Sequence, residues 1–251
     1  MQNFLTPSFL AIGAQKAGTT SFFQYLNSHE SFSSPIFKEL HFFDQNFDRG
    51  INWYQEKFPN INDQNLFTGE ATPYYLFHPH AARRAHKYFP NIKLICLLRE
   101  PASRAFSQYE MNVKRGNEKE AFEDAIALEE KRISSEYKKM LSFEAYNSTA
   151  VQLYSYKKRG IYIHQIDQWL KYFPINQFLF IGSRELKNDP NLVMNRFADF
   201  MGRPHFDLSY ELQLNAGNKI LKPNDYLIEL KKYYEPYNER LFKLIGINLN
   251  E

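Results

Sequence analysis

The sequence predicts an α/β protein in which helices cover both faces of a central, mostly parallel sheet, giving a three-layer α/β/α domain. Short apolar runs typical of buried strands alternate with longer segments whose apolar residues recur at helical spacing. The 251 residues are 43% hydrophobic and 24% charged, which is the balance of a folded protein. With no internal repeat and no low-complexity linker, residues 1–251 are interpreted as a single domain.

The first half of the chain opens with an apolar run at residues 9–12. A glycine-bounded loop follows at 13–20, and residues 21–26 carry apolar side chains at helical spacing, so the pattern indicates strand, loop and helix. Residues 28–65 show little periodicity and are expected to be irregular. The other predicted elements of this half are a short strand ending at 67–69, a helix over 79–88, a buried strand over 93–98 and a helix over 102–115.

The second half contains mostly helical patterns. Residues 121–140 form a charged helical stretch, and the final helix over 226–244 is expected to be interrupted near Pro236. The elements between them are an amphipathic helix over 161–172, a strand over 178–181 and a helix over 191–201.

Charge and cysteine content restrict the class of protein. The net charge of +3 fits an anionic ligand, and the lack of a dense Lys/Arg block argues against a nucleic-acid partner. Cys96 is the only cysteine, so no intrachain disulfide can form. The first ten residues do not resemble a signal peptide, and no stretch approaches the roughly 20 apolar residues of a membrane span. These observations favour a cytoplasmic protein without a membrane span.

Residues 13–20 form the most informative segment, Gly-Ala-Gln-Lys-Ala-Gly-Thr-Thr. A loop between a strand and a helix presents unpaired N–H groups and the positive end of a helix dipole, which together bind phosphate. Lys16 adds a positive charge, and Thr19 and Thr20 add hydroxyl donors. The motif of nucleotide hydrolases places lysine directly after the second glycine, where this chain has Thr19. The displaced lysine weakens the alternative of a Mg²⁺-dependent P-loop nucleotide kinase without removing it.

This loop resembles the 5′-phosphosulfate loop of sulfotransferases that use 3′-phosphoadenosine-5′-phosphosulfate (PAPS). The resemblance implies a P-loop-like fold, PAPS as donor, 3′-phosphoadenosine-5′-phosphate (PAP) as product and no metal. A second segment, residues 97–109, is similar to the 3′-phosphate motif of the same family, in which Arg99 and Ser107 hold the phosphate. The donor-binding residues implied in the first loop are Gln15, Lys16, Ala17, Gly18, Thr19 and Thr20.

A third segment, residues 38–44 (Lys-Glu-Leu-His-Phe-Phe-Asp), is similar to a stretch of heparan-sulfate-type and bacterial sulfotransferases. The resemblance implies Glu39 as general base for an acceptor hydroxyl and Lys16 as the cation that stabilises the breaking bond. His41 is the rival base, because its ordinary pKa lies nearer neutrality. Glu70-Ala71 stands where heparan-sulfate-type enzymes commonly have Glu-Lys, which counts against a sulfated polysaccharide acceptor.

Several assignments stay open on the sequence alone. Asn218 and Lys219 lie in a segment that looks like the family's late donor-binding loop. Residues 28–65 and 140–156 are expected to shape an acceptor pocket for a glycan, a lipid or a small metabolite. A non-catalytic nucleotide-binding protein remains an alternative. A zinc site made of His78, His80 and His86 is disfavoured, because no cysteine lies near them.

Overall fold

The computed structural model describes residues 4–60, 63, 65–206, 208 and 225–249. Four parallel strands form one sheet in the order β2-β1-β3-β4. The strands are β1 (Phe9–Gly13), β2 (Gly69–Ala71), β3 (Lys93–Leu98) and β4 (Phe178–Gly182). β1 and β3 lie in the middle and are almost entirely buried, as expected for strands that are apolar on both faces.

Helices connect the strands. Those of the first half are α1 (Thr19–Asn27), α2 (Gly50–Gln55), α3 (Ala81–Tyr88) and α4 (Pro101–Lys114). Those of the second half are α5 (Phe122–Ala127), α6 (Glu129–Ser142), α7 (Thr149–Tyr154), α8 (Tyr162–Leu170), α9 (Ser183–Asn188), α10 (Pro190–Met201) and α11 (Asp225–Ile245). Short 3₁₀ helices cover Phe47–Arg49, Lys158–Gly160 and Ile175–Gln177.

Helices pack on both faces of the sheet, which confirms the predicted three-layer α/β/α class. On one side Phe197 of α10 makes edge contacts with Phe9 of β1 and Phe22 of α1, at ring-centroid distances of 5.2 and 5.3 Å. On the other side α11 packs against α4 and α8. Buried aromatic rings supply much of this contact, which explains the chain's high content of phenylalanine and tyrosine.

Three local expectations differ from the structure. Residues 28–65 are not wholly irregular, because α2 lies within them. The charged stretch 121–140 is divided into α5 and α6, which meet at Leu128. The final helix runs through Pro236 without interruption, because its packing against α4 and α8 offsets the backbone hydrogen bond that proline removes.

Candidate active site

The loop between β1 and α1 has the backbone geometry of an anion site. Lys16 and Gly18 have positive φ angles of 68° and 99°, which turn the chain sharply before α1 begins at Thr19. Among the described residues, no side chain caps this helix and no acidic side chain lies in its first turn. The first N–H groups of α1 and the positive end of its dipole are therefore available to an anion.

The two glycines of the loop have different roles. Gly18 permits the left-handed backbone that precedes α1. A Cβ at Gly13 would lie 2.7 Å from the Cβ of Leu76 and 3.2 Å from the carbonyl oxygen of Pro73. The N–H of Leu76 donates to the carbonyl of Ile12 over 2.8 Å. Gly13 therefore makes room for the chain that follows β2.

Three cationic side chains gather at this loop. Arg99 donates from Nη1 to the carbonyl oxygen of Lys16 over 3.3 Å. Burial lowers the pKa of Lys16, and the charges of Arg99 and Arg115 lower it further, while Glu110 partly offsets them. Burial also lowers the pKa of Arg99. An anion bound here would relieve this repulsion, so the cluster fits a ligand with several phosphate groups.

The main chain around Arg99 is anchored where β3 passes into α4. The phenol of Tyr162 in α8 donates to the carbonyl oxygen of Arg99 over 2.9 Å. The carboxylate of Glu100 accepts hydrogen bonds from the first free N–H groups of α4, both at 2.8 Å, and so caps the helix. Ser107 follows in the same helix, half-buried. These contacts fix the direction in which Arg99 leaves the sheet.

The segment 38–44 meets the phosphate loop through a lysine. Lys38 donates from Nζ to Thr20 Oγ1 over 3.3 Å and to Glu39 Oε1 over 2.8 Å. Burial opposes ionisation of Glu39, but hydrogen bonds and charges from His41 and Lys38 outweigh it and hold the pKa of this carboxyl at about 2. Glu39 is therefore an anion beside the loop.

His41 lies between two carboxylates. Its Nδ1 is 2.7 Å from Asp44 Oδ2 and its Nε2 is 3.6 Å from Glu39 Oε2. Burial would lower the pKa of this imidazole, but the hydrogen bonds and charges of Asp44 and Glu39 outweigh it and raise the pKa to about 10. His41 is therefore a cation near neutral pH and has no free lone pair with which to take a proton.

The carboxyl group of Glu70 in β2 is fully buried and is linked to the segment 38–44 through a hydrogen-bond network. Three hydroxyl groups donate to it, those of Tyr54, Tyr75 and Thr72, at 2.9, 2.8 and 3.1 Å. The oxygen of Tyr75 in turn accepts a 2.8 Å hydrogen bond from the N–H of Phe42. Burial raises the pKa of Glu70 to about 7, although its hydrogen bonds act in the opposite direction.

Arg159 links the phosphate loop to α7. Its Nη1 donates to Gln15 Oε1 over 2.6 Å, and its Nη2 donates to the carbonyl oxygen of Gln152 over 2.7 Å. Its guanidinium carbon lies 4.7 Å from the ring centroid of Tyr74. Burial lowers the pKa of Arg159 to about 10, so the side chain stays charged at neutral pH.

A polar cleft of about 310 Å³ opens beside these groups. Gln45 and Asn46 line one side, directly after the segment 38–44. Tyr74 and residues between 147 and 152 line the other. The cleft thus lies between the two regions, 28–65 and 140–156, that the sequence predicts to shape an acceptor pocket.

The structure brings several of the predicted residues together. Thr20 and Glu39 both contact Lys38, and Arg99 reaches the backbone of Lys16 in the same loop from the end of β3. Asn218 and Lys219 lie outside the described residues.

The three histidines weighed as a zinc site do not form one. Within the described part of the chain, no group of three or more His, Cys, Asp or Glu side chains is placed to hold a metal ion. The Nε2 of His80 lies 2.6 Å from the carbonyl oxygen of Met140, while the ring of His86 packs against Phe173.

Four charged residues of the site had no role assigned to them from the sequence: Lys38, Glu70, Arg115 and Arg159. Arg159 follows two lysines and has the pattern of a solvated basic run, although it is 4% exposed. A carboxylate between Gly69 and Ala71 in a short buried strand is the sequence signal that indicates a buried structural role for Glu70.

Comparisons with known proteins agree with this geometry. The model of the sulfotransferase domain family matches residues 6–216. Human heparan sulfate glucosamine 3-O-sulfotransferase 6 is 27% identical over 264 residues, which cover 96% of this chain and 72% of that protein. The crystal structure of a sulfotransferase from Alicyclobacillus acidocaldarius has a TM-score of 0.76 and 29% identity, and the match covers 96% of both chains.

The cytoplasmic location expected from the sequence is wrong. The relatives include heparan sulfate sulfotransferases and the membrane-associated sulfotransferase kil1 of Dictyostelium discoideum, 26% identical over 96% of this chain and 65% of that protein. The expectation depended partly on Cys96, but a lone cysteine cannot form an intrachain disulfide in any compartment. None of the described helices combines the length and the apolar composition needed to cross a membrane.

The family match covers most of the chain, and the alternative of a nucleotide kinase is not favoured. The two segments that resemble the donor-binding motifs of sulfotransferases, residues 13–20 and 97–109, lie at the carboxyl ends of the central strands β1 and β3, where parallel sheets bind their ligands. This chain therefore belongs to the sulfotransferase family and is a PAPS-dependent enzyme that transfers a sulfuryl group.

Proposed function

We propose that this enzyme transfers the sulfuryl group of PAPS to an acceptor hydroxyl, with Glu39 as general base. The observation that carries the proposal is the position of Lys38, whose ammonium group contacts both Thr20 of the phosphate loop and Glu39. The base and the donor loop therefore meet at one point. An acceptor oxygen held there would be in line with a sulfuryl group bound at the loop.

The donor-binding residues fit a ligand with two phosphate-bearing ends. The N–H groups of residues 15–20 and the hydroxyls of Thr19 and Thr20 would hold the 5′-phosphate, while Arg99 and Ser107 would hold the 3′-phosphate. PAPS supplies an activated sulfuryl group and a phosphate leaving group. Lys16 and its cationic neighbours carry enough positive charge to stabilise that leaving group, so we propose a reaction that needs no metal.

In the proposed step the acceptor oxygen forms a bond to sulfur while the bond from sulfur to the phosphate oxygen breaks. The electron pair of that bond leaves with PAP, and the hydroxyl proton passes to Glu39. A carboxyl with a pKa of about 2 is a weak base. Lys38 lowers that pKa, so its movement from Glu39 to the donor's phosphates would strengthen the base.

His41 has a positioning role in this scheme. The pair of carboxylates around it keeps the imidazole protonated, with a pKa of about 10, so it donates a hydrogen bond to Asp44 and forms an ion pair with Glu39. Asp44 is fully buried and holds one side of the ring. The other side faces Glu39, which His41 orients toward the loop.

Calorimetry with PAP in EDTA-containing buffer tests the donor site separately from turnover. We expect metal-free binding that Arg99→Ala weakens by about 1–3 kcal/mol. Arg240→Ala is the matched control, because Arg240 is exposed and pairs with Asp167 on the surface. Binding of ATP with Mg²⁺, in place of PAP, would contradict the assigned donor.

The base is tested by Glu39→Gln. We expect turnover of PAPS and acceptor to fall by a factor of about 100 or more while PAP affinity is retained. Normal turnover in this variant would remove Glu39 as base. Tight PAP binding by the wild-type protein without turnover of any hydroxyl acceptor would favour the second candidate, a non-catalytic nucleotide-binding protein.

A further inference from the structure

We propose that the polar cleft beside Glu39 binds an uncharged sugar unit as the acceptor. This inference rests on the proposed function and names the class of substrate for the same site. It follows from three features of the cleft: the links of its walls to the base segment and to the donor loop, the hydrogen-bonding capacity of its lining, and the lack of charged side chains among the described residues that line it.

One wall of the cleft is continuous with the segment that carries the base. The N–H of Asn46 donates to the carbonyl oxygen of His41 over 2.8 Å. Its side-chain amide donates to the carbonyl oxygens of Leu40 and His41, both at 3.1 Å. Asn46 and Gln45 therefore form the end of the turn that carries Glu39, and a molecule in the cleft contacts this turn.

The opposite wall is tied to the donor loop through one side chain. Arg159 donates to Gln15 of the phosphate loop and to the carbonyl oxygen of Gln152 in the cleft wall. Its guanidinium group also lies over the ring of Tyr74, which lines the cleft. One wall of the cleft is thus linked to the segment that carries the base, and the other wall is linked to the donor loop.

The lining matches sugar hydroxyls, each of which both donates and accepts a hydrogen bond. Besides Tyr74, Ser148 and Thr149, it consists of four amide side chains, those of Gln45, Asn46, Asn147 and Gln152. An amide offers both donors and acceptors. The side-chain amides of Gln45 and Gln152 have no hydrogen-bond partner in the part of the chain that the structure describes. Both are therefore free to bind a ligand.

The lining of the cleft offers no cationic side chain to a polyanion, because no lysine or arginine is among the described residues that line it. Charges of both signs lie behind the walls: the cation Arg159 contacts Gln152 and Tyr74, and two carboxylates contact other residues of the lining. Asp44 accepts a 2.7 Å hydrogen bond from the N–H of Gln45, and Glu136 accepts a 3.0 Å hydrogen bond from the hydroxyl of Ser148. A sulfated chain needs an extended basic surface, whereas a neutral sugar does not.

Release of PAP from PAPS, measured with saturating donor, tests this inference. The neutral probes are p-nitrophenyl β-glucoside and p-nitrophenyl β-galactoside, and the anionic probe is a heparan sulfate oligosaccharide. We expect a neutral glycoside to accelerate PAP release, with a KM that is insensitive to added NaCl. Gln45→Ala and Gln152→Ala should each raise that KM about 3- to 10-fold, the loss of one hydrogen bond. Gln168→Ala, an exposed glutamine of α8, should leave it unchanged.

The possible outcomes separate this inference from the function on which it rests. Turnover of the heparan sulfate probe but of neither glycoside would overturn the inference and leave the sulfotransferase assignment intact. Normal PAP binding with no turnover of a glycoside would also overturn it. A KM unchanged in both cleft variants would place the acceptor elsewhere. Loss of PAP binding in the wild-type protein would instead contradict the proposed donor site.

Discussion

Replacement of Glu70 by glutamine tests the buried network beneath the active site. Glutamine keeps the size of the side chain but removes its ionisation. The wild-type carboxyl is fully buried and accepts three hydroxyl donors, one of which holds the main chain of the segment 38–44 through Phe42. The variant therefore separates the electrostatic cost of a buried charge from the packing of the site.

The magnitude follows from the pKa of Glu70. Burial raises this pKa from 4.5 to about 7. The folded protein therefore binds the proton more tightly than the unfolded chain does. Its contribution to stability is fully present below pH 4.5 and is lost as the pH rises to about 7. At about 1.4 kcal/mol per pH unit, the unfolding free energy falls by about 3 kcal/mol over this interval.

Urea denaturation of both proteins at a series of pH values measures this effect. Other groups titrate in the same interval, so the informative quantity is the difference between the variant and the wild type. We expect Glu70→Gln to gain about 3 kcal/mol relative to the wild type from pH 4.5 to pH 7. The exposed control Glu235→Gln should show no such trend. A difference for Glu70→Gln that does not vary with pH would refute the buried-charge argument.

Three further predictions concern the loop and its supports. Gly13→Ala places a methyl group 2.7 Å from the buried Cβ of Leu76, so it should lower the melting temperature and reduce the unfolding free energy by about 1–3 kcal/mol. The control Gly182→Ala, whose methyl group has no contact closer than 3.7 Å, should leave the melting temperature unchanged. His41→Gln removes a cation that lowers the pKa of Glu39, so the acid limb of kcat/KM against pH should move upward from about pH 2; an unmoved limb would contradict the pairing. Arg159→Lys keeps the positive charge but loses the planar guanidinium group, whose two nitrogens bond Gln15 and Gln152. The unfolding free energy should fall by about 1–3 kcal/mol. Unchanged urea denaturation would show that these two hydrogen bonds do not stabilise the fold.

The parts of the site that the sequence predicts are those built from consecutive residues. The phosphate loop at 13–20 depends on a strand, two glycines and a helix start that are adjacent in the chain, and the structure shows all of them. Arg99 follows the buried strand β3 directly, so the hydrophobic run alone places it at the carboxyl end of that strand. The family and its donor chemistry follow from such local motifs.

The remaining parts come from residues that are distant in the chain, and no local pattern shows which of them meet. Arg159 and Gln15 are 144 positions apart, yet they share a hydrogen bond, because folding brings the end of β1 next to the chain before α8. The sequence alone could not decide whether Glu39 or His41 is the base, because it gives only the ordinary pKa of each residue type and not the shift that the folded environment causes.

Composition, periodicity and three short motifs determined the α/β class, the donor loop and the sulfotransferase family. Tertiary structure alone decided the protonation of Glu39 and His41 and the burial of Glu70. It also formed the neutral lining of the cleft. The physical reason is the range of the forces involved. Helix starts and glycine turns depend on a few neighbouring residues, whereas desolvation and pairing of charges depend on groups that only folding brings within a few ångströms.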